Sequence, residues 1–318
     1  MRLMIIAAMT LTDPTTIDGA VPLTPWGLLR AEGAEAAQFL HGQLTQDIEH
    51  LDAGSARLAG YCSPKGRLLA SFVVWRPHPE TVFLACSADV RPAALKRLSM
   101  FVLRAKCKLT DAGADWRLIG VAGRSATAAL GDALPSAPWQ RVAHGESSVI
   151  RLRDAAGVPR ALWVQPASQP LPALPALPLA HWQWLDVASG VVQIVGATVE
   201  QFVPQMVNLE LVGGVNFQKG CYPGQEVVAR SQYRGTLKRR AFLCRSEQPA
   251  QAGQEVYAAD DASQPAGMVA NAASVDGLGH LALVELRLAA LDQPLTLGAP
   301  GGPALRRVEM PYPVLEAA

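Results

Sequence analysis

The residues with the clearest chemical potential lie between positions 216 and 240, where the chain reads NFQKGCYPGQEVVARSQYRGTLKRR. Cys221 follows Lys219 closely and precedes Pro223-Gly224, a pair that predicts a turn. A helix is predicted over 225–234. The thiol is therefore expected in a tight loop near a helix start, where unpaired N–H groups and the helix dipole favour an anion. Because the thiolate is the reactive form of cysteine, this position favours nucleophilic chemistry.

The same stretch carries a local positive charge. Between 216 and 240 there are six basic residues and one acidic residue, whereas the whole chain has a net charge of +1. On the predicted helix, Glu226, Arg230 and Arg234 recur every four residues and share one face, with Tyr233 beside them. The competing interpretation is a buried cysteine followed by a helix whose charges only face solvent.

The five cysteines, at 62, 86, 107, 221 and 244, form an odd set without a C-x-x-C pair or a histidine at ligand spacing. Neither a disulfide framework nor a metal site is predicted, and a reducing cytoplasm fits best. Lys219 and the basic helix should favour the thiolate form of Cys221. The other four cysteines lie in strand-like apolar runs and should be buried and slow to react.

Length and composition limit the possible functions. A chain of 318 residues with 50% hydrophobic residues predicts two or three well-packed domains. A net charge of +1 argues against DNA binding. No run approaches ~20 apolar residues, so no membrane span is expected, and the short apolar run 3–9 lacks a cleavage site and does not predict secretion. The motifs of common hydrolases, dinucleotide enzymes, P-loop enzymes and zinc proteases are absent.

A hairpin is predicted before the middle of the chain. Strands over 56–62 and 67–75 are joined by Ser63-Pro64-Lys65-Gly66, which suits a type I turn and places Lys65 and Arg67 at or near the tip. A strand over 81–86, a helix over 89–103 and a strand over 106–110 complete a compact α+β unit. The preceding segments, 23–29 and 32–44, predict a strand and a helix. His41 lies in that helix, and its interpretation is a packed or solvated side chain.

The second half predicts a different architecture. A strand over 116–121, a short helix over 125–130 and a hairpin of 149–152 with 161–165 precede five prolines within 166–178, which predict an extended connection. A helix over 181–189 follows. After residue 240, short β-rich runs separated by turns predict a small antiparallel barrel; they cover 241–244, 255–257, 267–269, 280–285, 295–297 and 304–308.

The octapeptide KGCYPGQE, 219–226, resembles the signature of the YgfZ family, relatives of the glycine-cleavage T-protein (aminomethyltransferase) that bind tetrahydrofolate. The flanking segments 201–214 and 229–240 are similar to the same family. Weaker similarity is found in FLHGQLTQDI, 39–48, and YCSPKGR, 61–67. The resemblance spans most of the chain, and the octapeptide is its specific part.

This resemblance implies an α+β fold of the T-protein type: a three-domain ring around a central folate cavity, with a ferredoxin-like insert and a C-terminal antiparallel β-barrel. The implied domains are a discontinuous folate-binding domain (1–54 and 115–235), the insert (55–114) and the barrel (236–318). The implied function is that of a tetrahydrofolate-binding factor that supports assembly or repair of iron–sulfur clusters in client enzymes, including tRNA-modifying enzymes. Cys221 is then the working thiol, with Lys219 beside it.

The implied cofactor is tetrahydrofolate or another reduced folate, whose anionic tail suits basic side chains. Candidate cofactor-binding residues are Lys65, Arg67, Asp186, Gln225, Glu226, Arg230, Tyr233 and Arg234. Where relatives carry Glu-Ala-Gly, with the Glu expected to grip the pterin, this chain has Ala188-Ser189-Gly190. Asp186 is one substitute, and backbone and Gln groups are another.

Two other functions stay open at this point. A folate-dependent aminomethyltransferase or other one-carbon enzyme leaves the cysteine loop unexplained, because the T-protein does not use one. The third is a noncatalytic partner-binding module whose basic helix docks an acidic protein or a tRNA. In each case a monomer in the cytoplasm is expected.

Overall fold

Two five-stranded sheets and a closed six-stranded barrel organise the part of the chain that the computed structural model describes, residues 13–131, 134–233 and 237–314. The apolar run 3–9 and Arg234, both singled out in the sequence, lie outside these described residues.

The elements of the first half have these bounds: β1 Gly19–Pro22, β2 Trp26–Glu32, α1 Ala36–His41, β3 Ala56–Cys62, β4 Leu68–His78, β5 Thr81–Ser87, α2 Arg91–Val102, β6 Lys108–Asp111, β7 Trp116–Ala122, α3 Arg124–Leu130, β8 Arg141–His144 and β9 Ser147–Arg151. Those of the second half are β10 Arg160–Pro166, α4 Leu179–Ala188, α5 Gln225–Tyr233, β11 Arg239–Ser246, β12 Glu255–Ala258, β13 Gly267–Val275, β14 Gly279–Arg287, β15 Leu295–Leu297 and β16 Ala304–Arg307. Short 3-10 turns cover Gly196–Thr198 and Pro204–Val207.

The first sheet has the order β1-β7-β10-β9-β8, and all its pairs are antiparallel. The predicted 149–152 and 161–165 hairpin is confirmed in β9 and β10. Strand β8 was not predicted, because its four residues, RVAH, are too few and do not alternate polar and apolar types. The proline-rich stretch that follows contains no helix or strand up to α4. This helix starts directly after Pro178, whose fixed φ angle suits a helix entrance.

The second sheet has the order β3-β4-β5-β2-β6. Without β3, the order β6-β2-β5-β4 and the flanking helices α1 and α2 are those of a ferredoxin-like βαββαβ unit, as predicted. Strand β2 pairs with both β5 and β6, so the sheet begins before the predicted boundary at residue 55. The sequence pattern of the hairpin did not show this, because Leu29 pairs with Leu84 and Asp111, both distant along the chain.

The C-terminal strands close a barrel in the order β11-β14-β13-β12-β15-β16, with β16 pairing back onto β11. This confirms the predicted antiparallel barrel and all six of its predicted β-rich runs. Closure removes exposed strand edges, which explains how such short strands remain ordered.

One hydrophobic core joins the three β-structures. Its buried members include Leu28 from the second sheet, Leu162 from the first, Leu243 from the barrel and Trp182 from α4. A Cβ atom at Gly120 in β7 would lie 2.5 Å from the Trp182 ring. Only glycine at this position therefore lets the indole pack against the first sheet. Helix α4 is thereby fixed where both sheets and the barrel meet.

Candidate functional site

The cysteine loop, residues 213–224, rests on the segment that follows α1. Thr45 donates from Oγ1 to the Gly214 carbonyl at 2.6 Å, and Gln46 donates from Nε2 to the Gly213 carbonyl at 2.7 Å. The backbone N–H of Asn216 donates to the Thr45 carbonyl at 2.9 Å. These bonds explain the similarity seen in 39–48: that segment is the support of the loop. Helix α1, Ala36–His41, is shorter at both ends than the predicted helix over 32–44.

Lys219 fastens the loop to the same support. Its Nζ donates to the His41 carbonyl and, at 2.8 Å, to the Leu44 carbonyl, where the end of a short helix leaves oxygen atoms without helical partners. The ammonium also lies 5.0 Å from the ring centre of Tyr222. Burial lowers the pKa of Lys219 to about 8, although Asp47 and Cys221 oppose the shift.

Cys221 is exposed, four residues before α5, and all five cysteines are free thiols. Cys62, Cys86 and Cys244 are buried as predicted, and burial raises the pKa of each thiol to about 12, which disfavours the reactive thiolate. The prediction for Cys107 was wrong. It is only partly buried and lies just before β6, although burial still raises its pKa to about 11.

The tip of the β3–β4 hairpin contacts the turn that follows Cys221. Gly224 has a φ angle of +81°, and a Cβ there would lie 2.4 Å from the Ser63 carbonyl oxygen. Gly66 has a φ angle of +70°, and a Cβ there would lie 2.7 Å from the Cβ of Val227. The predicted turn at 63–66 is confirmed, but its contact with the cysteine loop was not foreseen.

The basic residues of this hairpin point in different directions. Lys65 is exposed at the tip. Arg67 is partly buried and donates from Nη1 to the Gln201 carbonyl. It lines a polar space of about 400 Å³ at the edge of the barrel, together with the ion pair of Arg239 and Glu285.

Helix α5 is held from beneath by a buried polar network. Gln205 donates from Nε2 to the Val228 carbonyl at 2.8 Å, and Asn208 donates from Nδ2 to the Ala241 carbonyl at 2.8 Å. Arg240 donates from Nη1 to the Gln205 carbonyl at 3.1 Å. The similarity over 201–214 and 229–240 therefore corresponds to residues that fix the helix behind the cysteine loop.

The outer face of α5 meets solvent. Glu226 and Arg230 are exposed, Gln225 is partly exposed, and Tyr233 is 70% exposed, with its ring centre 5.8 Å from that of Phe217. The predicted common face of Glu226 and Arg230 is thus an accessible surface and not the wall of a cavity.

A separate cavity of about 180 Å³, the central cavity, lies between α4, the second sheet and the barrel. Its walls include Trp26, Trp182, Asp186, Gln193 and Asn271. A smaller adjoining space of about 50 Å³ shares Trp26, Asp186 and Gln193. The cavity therefore combines two indole rings with a carboxylate and two amide side chains, a composition typical of sites for flat, hydrogen-bonding ligands.

Asp186 is paired inside this cavity. Arg160 donates from Nη1 to Asp186 Oδ1 at 2.6 Å, and 28% of the aspartate side chain stays exposed, toward the cavity. Burial raises the pKa of Asp186, while Arg160 and the nearby Trp182 and Trp26 side chains oppose that rise. Burial thus outweighs the guanidinium, and the ion pair reduces but does not cancel the rise in the Asp186 pKa.

The structure separates the predicted site residues into two groups. Asp186 lines the central cavity, and among the described lining residues of this cavity none belongs to the cysteine loop, the hairpin tip or α5. Sequence reasoning missed Gln193 and Asn271 in the cavity and Arg160 in the adjoining space, because these residues come from separate parts of the chain. It also missed His41 and Asp47 beside the loop, although the FLHGQLTQDI similarity was a signal for them.

In the described part of the chain, no group of three or more His, Cys, Asp and Glu side chains is arranged to hold a metal ion. None of the described helices is long and apolar enough to span a membrane.

Comparison with known proteins identifies relatives of this chain and a solved structure with a similar fold. No protein-family model matches it. The tRNA-modifying protein YgfZ of Sodalis glossinidius is 32% identical over 255 residues, 74% of each chain, and that of Edwardsiella ictaluri is 34% identical over 235 residues, 70% of each chain. The crystal structure of the glycine cleavage system aminomethyltransferase T from Bartonella henselae matches 94% of this chain and 87% of its own, with a TM-score of 0.74 and 17% identity. The chain therefore has the T-protein fold and belongs to the YgfZ family.

Proposed function

We propose that this protein is a tetrahydrofolate-binding factor that supports assembly or repair of iron–sulfur clusters in client enzymes, including tRNA-modifying enzymes. Family membership supports a role in tRNA modification, because the YgfZ relatives are tRNA-modifying proteins. We further propose that it acts as a monomer in the cytoplasm.

The observation that carries folate binding is the central cavity around Asp186. A reduced pterin is a flat ring with adjacent N–H donors, and a carboxylate accepts such a pair of donors well. Asp186 would hold the ring edge, Trp26 and Trp182 would contact its faces, and Gln193 would supply further hydrogen bonds. Asp186 thus takes the place of the Glu that this chain lacks at Ala188. When bound, a reduced folate carries one-carbon groups or electrons.

Cys221 serves a different surface. Because the thiol is exposed on an anchored loop, it can reach the iron or sulfur of a docked client, which a buried cysteine cannot. The exposed face of Glu226, Arg230 and Tyr233 surrounds it with groups for recognising that client. We therefore assign folate to the cavity and the client to the loop.

The test is an anaerobic titration of the protein with tetrahydrofolate, followed by tryptophan fluorescence, since Trp26 and Trp182 line the cavity. We expect saturable quenching, and at least about tenfold weaker binding for Asp186→Asn, because the amide cannot accept two charge-assisted bonds. Asp292→Asn, an exposed aspartate, is the matched control. A folded protein that shows no binding at millimolar ligand would favour the partner-binding alternative.

The T-protein fold keeps an aminomethyltransferase as the second candidate. A direct assay of aminomethyl transfer to tetrahydrofolate distinguishes it. Turnover that survives Cys221→Ser would support that enzyme, because its chemistry does not need the cysteine loop.

A further inference from the structure

His41 connects the cysteine loop to a carboxylate. Its Nδ1 lies 2.9 Å from Asp47 Oδ1. Its Nε2 lies 3.7 Å from the position that a Cβ would take at Gly220, the residue before Cys221. Its carbonyl accepts a hydrogen bond from Lys219. Of the two residues that precede Cys221, Lys219 is hydrogen-bonded to His41 and Gly220 lies near the His41 ring.

The hydrogen bond to Asp47 determines which ring nitrogen is free. A neutral imidazole that donates from Nδ1 to a carboxylate keeps its lone pair on Nε2, the atom that faces the loop. Among the described residues, no other group forms a hydrogen bond with Nε2. The His41 side chain is 15% exposed, so it is largely shielded from bulk water. A carboxylate that orients an imidazole toward a neighbouring thiol is the arrangement that activates a nucleophile. Here the carboxylate–imidazole pair is formed, and Nε2 lies near the backbone of the residue before Cys221.

Lys219 is the other base next to the thiol, but its position suits a different task. Its ammonium is directed to the carbonyls of His41 and Leu44, and at pH 7 it keeps its proton because its pKa is about 8. It therefore fixes the loop and supplies positive charge, while the acceptor for a proton has to be another group.

We propose that His41 is the proton acceptor of Cys221 and that Asp47 is the positioning residue of His41. The proposal rests on the proposed function of Cys221 as the working thiol. As Cys221 binds iron or attacks an electrophile, its S–H bond breaks, the proton moves to His41 Nε2 and the electron pair stays on Sγ. Nothing is oxidised or reduced in this step. Asp47 then stabilises the imidazolium.

The surroundings of Asp47 keep it ionised for this role. Burial would raise the pKa of Asp47, but hydrogen bonds from His50 and His41 outweigh burial and hold that pKa below its usual value. The titratable and charged groups that face the pair are Asp47, His50 and Arg57 on its own side and Lys219 and Cys221 on the loop.

The experiment measures alkylation of Cys221 in the full-length protein by iodoacetamide between pH 5.5 and 9, with the label quantified by mass spectrometry. We expect His41→Gln to slow labelling at pH 7 roughly tenfold and to move the rate profile to higher pH, with rates converging at high pH. The labelling rate of Asp47→Asn should lie between those of the wild type and His41→Gln. His78→Gln is the matched control, since His78 is exposed at the end of β4, and its rate should stay within about twofold of the wild type.

Two further measurements separate proton transfer from a structural role. Added imidazole should restore labelling in His41→Ala, which it cannot do for a loop that has merely become disordered. Folate titration should be unchanged in both His41 variants, because His41 does not line the central cavity. The proposal would be overturned by equal pH–rate profiles for wild type and His41→Gln. It would also be overturned if added imidazole did not accelerate the labelling of His41→Ala. Folate binding is tested separately, by its own titration.

Discussion

Lys219 binds the end of α1 through its ammonium, with a 2.8 Å hydrogen bond to the carbonyl oxygen of Leu44. Replacing it by Met removes this donor and the one to His41, so the loop loses its anchor. We expect a loss of about 1–2 kcal/mol in the free energy of unfolding and faster hydrogen exchange over 213–224. Urea denaturation and exchange mass spectrometry test this. Lys238→Met, at an exposed lysine, should change neither, and an equally large effect there would contradict the anchoring role.

The pKa of Lys219 gives a second, pH-dependent prediction. It falls from 10.5 to about 8 on folding because of burial, so between these values the unfolded chain binds more protons than the folded chain. The contribution of Lys219 to the free energy of unfolding should therefore rise with pH from about 8 to 10.5 and be lost as pH falls through 8. The difference in urea stability between wild type and Lys219→Met, measured from pH 7 to 10, isolates this slope. A difference that is flat with pH would contradict the shift.

The glycine of the turn after Cys221 should not tolerate a side chain. Gly224→Ala adds a Cβ 2.4 Å from the Ser63 carbonyl oxygen at a φ angle of +81°. Gly213→Ala is the matched control, because Gly213 has φ +84° but nothing within 4 Å of its Cβ position. We expect the control to lose about 1 kcal/mol in urea stability from backbone strain alone and Gly224→Ala to lose about 2–3 kcal/mol or more. Similar losses in both would mean that the hairpin contact adds nothing.

The five thiols should react in a fixed order. Iodoacetamide at near-neutral pH should label Cys221 first, then the partly buried Cys107, and should label Cys62, Cys86 and Cys244 only after unfolding. Peptide mapping against time gives the order. Cys221→Ser should keep its fold and folate binding but fail to support client activity in a strain that lacks the protein. Full complementation by that variant would make Cys221 structural.

The sequence predicted most strands and helices because hairpins, helix periods and turn residues are local signals. The tip at 63–67, α2 and the barrel strands follow from such patterns. The site was predicted only in part. Lys219 and the His41 carbonyl are 178 positions apart, and no local pattern indicates that they meet. For the same reason, the sequence did not show that His41, interpreted as packed or solvated, lies beside the cysteine loop.

The central cavity could not be predicted from local sequence patterns, because its residues are also far apart along the chain. Asp186 was predicted from a family motif, but its partner Arg160 belongs to β10, and Asn271 belongs to the barrel. A buried carboxylate needs a cation, so an unmatched Arg in a strand was the available signal. The helix charges of α5 were the opposite case, because their shared face was predicted and its exposure was the competing interpretation.

The contact between Gly66 and Gly224 has a consequence for how such chains diverge. A hairpin loop usually accepts insertions, but here one added residue between 63 and 67 would push the tip into the turn after Cys221. The length of this hairpin and the Pro-Gly turn must therefore change together. In alignments of distant relatives, Gly66 and Gly224 should therefore be read as a pair. A chain that keeps one of these glycines but lengthens the loop of the other has lost the contact between the hairpin tip and the turn after its cysteine.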